Sequence, residues 1–113
     1  MVMTETRSDS DGRVLTTFRL PDVVGAETVF VVGEFNDWSA TAHPMEHVDG
    51  AFIAFIALAP GRAYRFRYLL DGERWVNDWE ADAYVPNEFG GDDSVIDLRR
   101  FPRVRPAGAS PSR

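Results

Sequence analysis

The sequence predicts an antiparallel β-sandwich, broadly immunoglobulin-like in architecture, on three observations. Apolar and polar residues alternate with period two over several short runs. Those runs are cut by Asp-Gly, Pro-Gly and Gly-Gly turns, and no apolar stripe at three-and-four spacing lasts for three turns of helix. The length of 113 residues, with 44% hydrophobic residues, suits one compact domain with room for a core and none for a second domain.

Residues 1–12 are polar and charged and are expected to form a flexible N-terminal arm. The folded domain is placed at 13–101. Val14 to Leu20 supplies β-branched and aromatic residues and stops at Pro21, and Thr28 to Gly33 (TVFVVG) is a nearly continuous apolar run suited to burial on both faces. Ala51 to Leu58 lies between the turns Asp49-Gly50 and Pro60-Gly61, with Phe52, Ala54, Ile56 and Leu58 on one face and Ile53 and Phe55 on the other.

Ala63 to Leu70 alternates more cleanly. Tyr64, Phe66, Tyr68 and Leu70 form a dry face, while Arg65, Arg67 and Leu69 face the opposite way. Asp71-Gly72 supplies a positive-φ hairpin position and Arg74 to Val76 begins the return strand. The stretch from Asn77 to Asp93 reads as loop, Ser94 to Leu98 as the last strand, and Phe35 and Tyr84 as core. Residues 102–113, rich in arginine, proline and serine, are expected to be a disordered tail.

Composition excludes several classes. With no cysteine, there is no disulfide framework, no thiol nucleophile and no thiolate zinc site. No run approaches the roughly 18 apolar residues of a membrane span, and MVMTETRSDSDGR has no basic head followed by an apolar stretch, so a cytoplasmic protein without a membrane partner is expected. Five of the 12 basic residues, all arginines, follow Leu98. The preceding 98 residues set 7 arginines against 18 acids, a body that repels phosphate backbones and makes nucleic acid an unsuitable partner.

Enzyme signatures are missing. His43 and His47 are four apart, but Pro44 follows at once in a loop-like segment, so they are read as solvent-exposed loop histidines and no metal is expected. There is no G-x-S-x-G elbow, no phosphate loop and no dinucleotide fingerprint, hence no cofactor and no catalytic residue. Paired acids alone do not make a glycosidase without the cleft that excludes water.

What stands out is aromatic residues in polar surroundings. Trp38 follows Gly33-Glu34-Phe35-Asn36-Asp37, Trp75 follows the Asp71-Gly72 hairpin, and Trp79 sits in Asn77-Asp78-Trp79-Glu80. An indole beside Asn, Asp and Arg is a stacking platform for the C–H face of a sugar ring, whose hydroxyl rim takes the paired donors and acceptors of such neighbours. Arg67, on the wet face of its strand, offers a planar five-donor fork for vicinal hydroxyls.

Three ordered motifs, VVGEFNDWS (Val31 to Ser39), PGRAYRFRYLLDGERWVND (Pro60 to Asp78) and ADAYVPNEFGGDDSVIDL (Ala81 to Leu98), resemble carbohydrate-binding module family 48. That family includes the early-set N-terminal domains of isoamylase, pullulanase and glycogen branching enzymes, and the glycogen-binding domain of the AMP-activated protein kinase β subunit. The resemblance implies an early-set immunoglobulin-like sandwich that binds α-1,4-glucans such as glycogen and maltodextrin without catalysis.

By motif it implies Trp38 and Trp75 as the two platforms, Arg67 as the basic strand residue and Phe89 as the apolar loop residue. Asp93 falls where kinase-type members have a glucose-bonding asparagine; ionised, it accepts hydrogen bonds but donates none. Trp79 stands where the family usually has proline and extends or replaces the platform, and Asn36 is assigned as a further polar contact. Two rings at roughly 1–3 kcal/mol each imply a dissociation constant of roughly micromolar to millimolar for a monomer or weak dimer. The rival reading is a protein-interaction module with a vestigial sugar site, docking a glycogen-metabolising enzyme or a kinase through Ile53 and Phe55.

Overall fold

The computed structural model describes residues 2–5 and 12–101. Among the described residues nine strands follow in chain order: β1 (Val2–Glu5), β2 (Val14–Pro21), β3 (Val29–Gly33), β4 (Glu46–Val48), β5 (Ala51–Leu58), β6 (Ala63–Leu70), β7 (Arg74–Val76), β8 (Ala83–Pro86) and β9 (Asp92–Asp97). Single 3₁₀ turns at Asp22–Val24 and Glu34–Asn36 are the helical elements among the described residues. One sheet has the order β1-β2-β5-β4; the other runs β3-β6-β9-β8, with β7 folded back on β6, and every pairing is antiparallel.

The two sheets close on one core. Phe18 of β2 meets Phe66 of β6 edge to face, with ring centroids 5.2 Å apart, and Tyr64, Tyr68, Leu70 and Ile96 from one sheet share this core with Leu20, Phe52, Ile56 and Leu58 from the other. The molecule is thus the antiparallel immunoglobulin-like sandwich that the turn spacing predicts. Alternation holds along β6 up to Tyr68, where Tyr64, Phe66 and Tyr68 point inward and Arg65 and Arg67 point out; Leu69 on the outer face is buried as well as Leu70 on the inner one. Polar groups that enter the core bring partners: the Tyr68 hydroxyl donates to buried Asp78 at 2.7 Å, and burial, with Asp78 beside it, holds the phenol well above its ordinary pKa.

Several expectations are corrected. Val2–Glu5 is an edge strand on β2, so the loose arm expected over 1–12 does not extend to those four residues. The Asn77 to Asp93 stretch contains β8, and the last strand begins at Asp92. Tyr84 is 45% exposed instead of core, because it lies on the edge strand β8; its hydroxyl donates to the Asp78 carbonyl at 2.5 Å. Phe35 is half-buried and packs on the core, against Phe18 at 5.3 Å. His43 and His47 have partners: Nδ1 of His43 lies 2.9 Å from the Asn36 amide, and Nε2 of His47 lies 3.0 Å from Asp22. The tail at 102–113 lies outside the described residues.

Candidate functional site

The outer face of the β6 sheet carries an open groove of about 610 Å³. Three separate pieces of chain build it, and each is positioned by local backbone chemistry.

The first piece follows β3. After the 3₁₀ turn, Asp37 (φ 55°) and Trp38 (φ 57°) both take left-handed conformations, unusual for any residue with a side chain and most of all for a bulky one. Such strain, on the order of 1–3 kcal/mol, persists only where surroundings over-determine it. Here the Trp38 amide donates to Gly33 O at 2.8 Å and the Ser39 amide to Asn36 O at 3.1 Å. The Asn36 side chain accepts from the Gly33 amide at 3.1 Å and donates to Val31 O at 3.0 Å. The loop is pinned at both ends, and Trp38, 40% exposed, stands at the groove.

The second piece is the β6-β7 hairpin. Asp71 and Gly72 both have positive φ, as a type I′ turn requires, and the Glu73 amide closes it onto Leu70 O at 3.0 Å. The Asp71 carboxylate accepts the Glu27 and Thr28 amides at 2.8 and 3.0 Å, locking the turn to the start of β3. Those amide bonds, Thr28's above all, hold its carboxyl below the ordinary range. The turn folds β7 so that Trp75 lies opposite Leu69, on the same face as Arg65 and Arg67. The Arg67 guanidinium carbon is 5.8 Å from the Trp75 ring centre. Arg67 makes no hydrogen bond or ion pair with the described residues, and its Nε is enclosed without an acceptor.

The third piece is the loop from β8 to β9, which presents Phe89, 88% exposed, at the rim. At its end Asp93 is buried to 5% exposure, with one oxygen accepting the Asn87 amide at 3.0 Å and the other 3.8 Å from Arg65 Nη1. Glu34 accepts the Arg65 backbone amide at 2.9 Å and pairs with Arg62 at 3.3 Å. Arg62 and Arg65 are therefore engaged by acids, and Arg67 brings its uncommitted terminal N–H groups to the groove.

Of the residues singled out from sequence, Trp38, Trp75, Arg67, Phe89 and Asp93 all line this groove. Asn36 does not, because its amide is spent on the loop beneath Trp38. Trp79 is 58% exposed in the turn after β7 and is also outside the lining. The groove adds Glu34, Arg65, Asn87 and Glu88, which the sequence reading passed over. For Asn87 a signal exists, since asparagine ahead of a Gly-Gly pair marks an Asx-type turn. Ile53 and Phe55 lie on the other sheet, where Phe55 is 66% exposed on the outer face of β5.

Residues 6–100 match the family model described as the glycogen recognition site of AMP-activated protein kinase. The chain is 48% identical over 54 residues to the 1,4-α-glucan branching enzyme GlgB of Deinococcus radiodurans, a match covering 46% of this chain and 8% of that protein. It is 26% identical over 76 residues to the β-1 subunit of 5′-AMP-activated protein kinase from Sus scrofa, covering 67% of this chain and 58% of that subunit. The chain thus spans less than two-thirds of the length of either relative. Its fold is shared with a maltogenic amylase crystal structure from S. marinus, at a TM-score of 0.70 and 17% identity over 96% of this chain and 16% of that one.

Proposed function

The chain belongs to the glycogen-recognition family of AMP-activated protein kinase, a family of non-catalytic carbohydrate-binding modules, and from that premise we propose that its groove binds neutral α-1,4-glucan chains. The observation that carries this reading is the meeting of Trp38, Trp75, Arg67 and Phe89, drawn from three separate segments, on one open surface. Two half-exposed indoles offer apolar faces to glucose rings, Arg67 offers donors, and Asp93 offers a fixed acceptor. Three acids, Glu34, Glu88 and Asp93, stand against two arginines, Arg65 and Arg67, around the groove, a near balance that suits an uncharged polymer. An open groove with few polar contacts suits a single-site dissociation constant of roughly micromolar to millimolar, raised in effect by the many sites along a polymer.

Calorimetric titration with maltoheptaose tests the proposal. Saturable binding by the parent chain, lost in Trp38→Ala and Trp75→Ala while both remain folded, is the expected result. Absence of binding at several millimolar sugar would overturn it.

Phe55 supports a second, compatible reading. Its exposure on the opposite sheet suits docking of another protein or domain, such as a glycogen-metabolising enzyme or a kinase. Because the two faces belong to different sheets, Phe55→Ser is expected to leave maltoheptaose binding unchanged.

A further inference from the structure

We infer that Asn87 is the positioning residue of the groove, the group that sets the Phe89 rim and the Asp93 carboxylate in one geometry; the inference rests on the glucan-binding reading. Four hydrogen bonds meet at this half-buried residue. Its Oδ1 accepts the Phe89 amide at 2.9 Å and the Gly91 amide at 3.2 Å, and its own backbone amide donates to Gly91 O at 2.8 Å. These three close the loop on itself around Gly90, whose φ of 88° lets the chain reverse. The fourth leaves the loop: Nδ2 donates to Asp93 Oδ1 at 3.0 Å.

The consequence is a division of labour across one side-chain amide. The carbonyl end fixes where Phe89 stands, although that ring is exposed and has little packing of its own to hold it. The NH₂ end orients Asp93, leaving its other oxygen toward Arg65 at 3.8 Å. A buried carboxylate with one oxygen satisfied by an amide presents a defined acceptor to a sugar hydroxyl, whereas one free to turn does not. Asparagine holds an acceptor oxygen and a donor nitrogen side by side on one planar amide, and its short stem suits the bonds to amides two and four residues ahead.

Two substitutions separate the roles. Asn87→Ala removes both ends. Asn87→Asp keeps the acceptor for the Phe89 and Gly91 amides but sets a second carboxylate against Asp93. Two like charges at that distance raise one pKa, and once a proton is shared its O–H replaces the lost N–H donor. The charged groups that share the groove with this pair are Arg65 and Arg67 from β6, Glu34 from the turn after β3 and Glu88 in the same loop, while Asp92, next to Asp93 on β9, alternates to the other face.

Calorimetry with maltoheptaose is run on the parent chain and both variants at pH 8 and pH 5. Asn87→Ala is expected to bind about tenfold more weakly than the parent at either pH. Asn87→Asp is expected to bind about fivefold more weakly at pH 8 and within about twofold at pH 5, because the shared proton restores the bond. A purely structural role would give no such convergence. Binding by Asn87→Ala within twofold of the parent, or an Asn87→Asp to parent ratio that stays constant between the two pH values, overturns the inference. If Asn87→Ala fails to fold, that ratio decides alone. Failure of the parent chain itself to bind is the separate outcome that overturns the glucan reading, and this inference with it.

Discussion

The guanidinium of Arg67 stands 5.8 Å from the centre of the Trp75 indole, with its Nε–H enclosed and unpaired. An unsatisfied buried donor costs about 1–3 kcal/mol, and nothing in the sandwich core recovers it. A cation kept at that expense beside an exposed ring is a mark of a surface shaped for a ligand. Arg67→Met keeps the stem and removes the donor. It is expected to hold or raise the melting temperature, while weakening maltoheptaose binding by about tenfold, near 1.4 kcal/mol. Differential scanning fluorimetry and calorimetry on the same sample check both halves.

Asn36 bonds within the loop that carries Trp38. Asn36→Ala strips the acceptor from the Gly33 amide and the donor from Val31 O, so a loss of about 2 kcal/mol in stability is expected. Weaker sugar binding should follow, since the left-handed Trp38 loses its support. Urea unfolding gives the first number; a sugar-contact role for Asn36 would show weakened binding with unchanged stability.

Gly33 has extended backbone that any residue adopts, yet it has no room. A Cβ there would lie 2.5 Å from Arg65 O and 2.7 Å from Phe66 Cβ, both on the facing strand. Gly33→Ala must push β3 from β6 and is expected to cost about 3 kcal/mol, read as a lower urea midpoint.

Acid should loosen the fold in a definite window. Asp71 is held below its ordinary pKa by the Thr28 and Glu27 amides, and Asp97 by the Arg99 guanidinium and amide. Both folded-state values lie under the unfolded ones, so their stabilisation is complete above the unfolded carboxylate pKa of about 4 and is lost as pH falls through the folded values. The double variant Asp71→Asn with Asp97→Asn is expected to lose less of its urea midpoint between pH 4 and pH 2 than the parent chain.

Much of this architecture was legible before any coordinates. β5 and β6 announce themselves because each is eight residues long and one face is dry, which imposes a period that side chains must obey. β4 and β8 do not, since three or four residues at a sheet edge, Glu-His-Val and Ala-Tyr-Val-Pro, feel no such demand. Trp38, Trp75 and Arg67 were readable as unusual residue types at turn-adjacent places. Asn36 fits a sugar contact by residue type, and its bonds to Val31, Gly33 and His43 leave no local pattern because only the folded loop brings those partners into reach. Arg65 and Glu34 enter the groove through strand register and a backbone bond, neither of which leaves a local pattern.

The alternation of β6 has a consequence for how such a surface can diversify. Even-numbered positions of that strand answer to the interior, while Arg65 and Arg67 lie on the opposite face beside Leu69, which is itself buried and paired across the sheet with Trp75. Substitution at 65 or 67 therefore explores new recognition chemistry at little risk to folding, whereas insertion or deletion of a single residue would exchange the two populations and abolish both. Variation along this strand is open to point change at 65 and 67 and closed to changes of length.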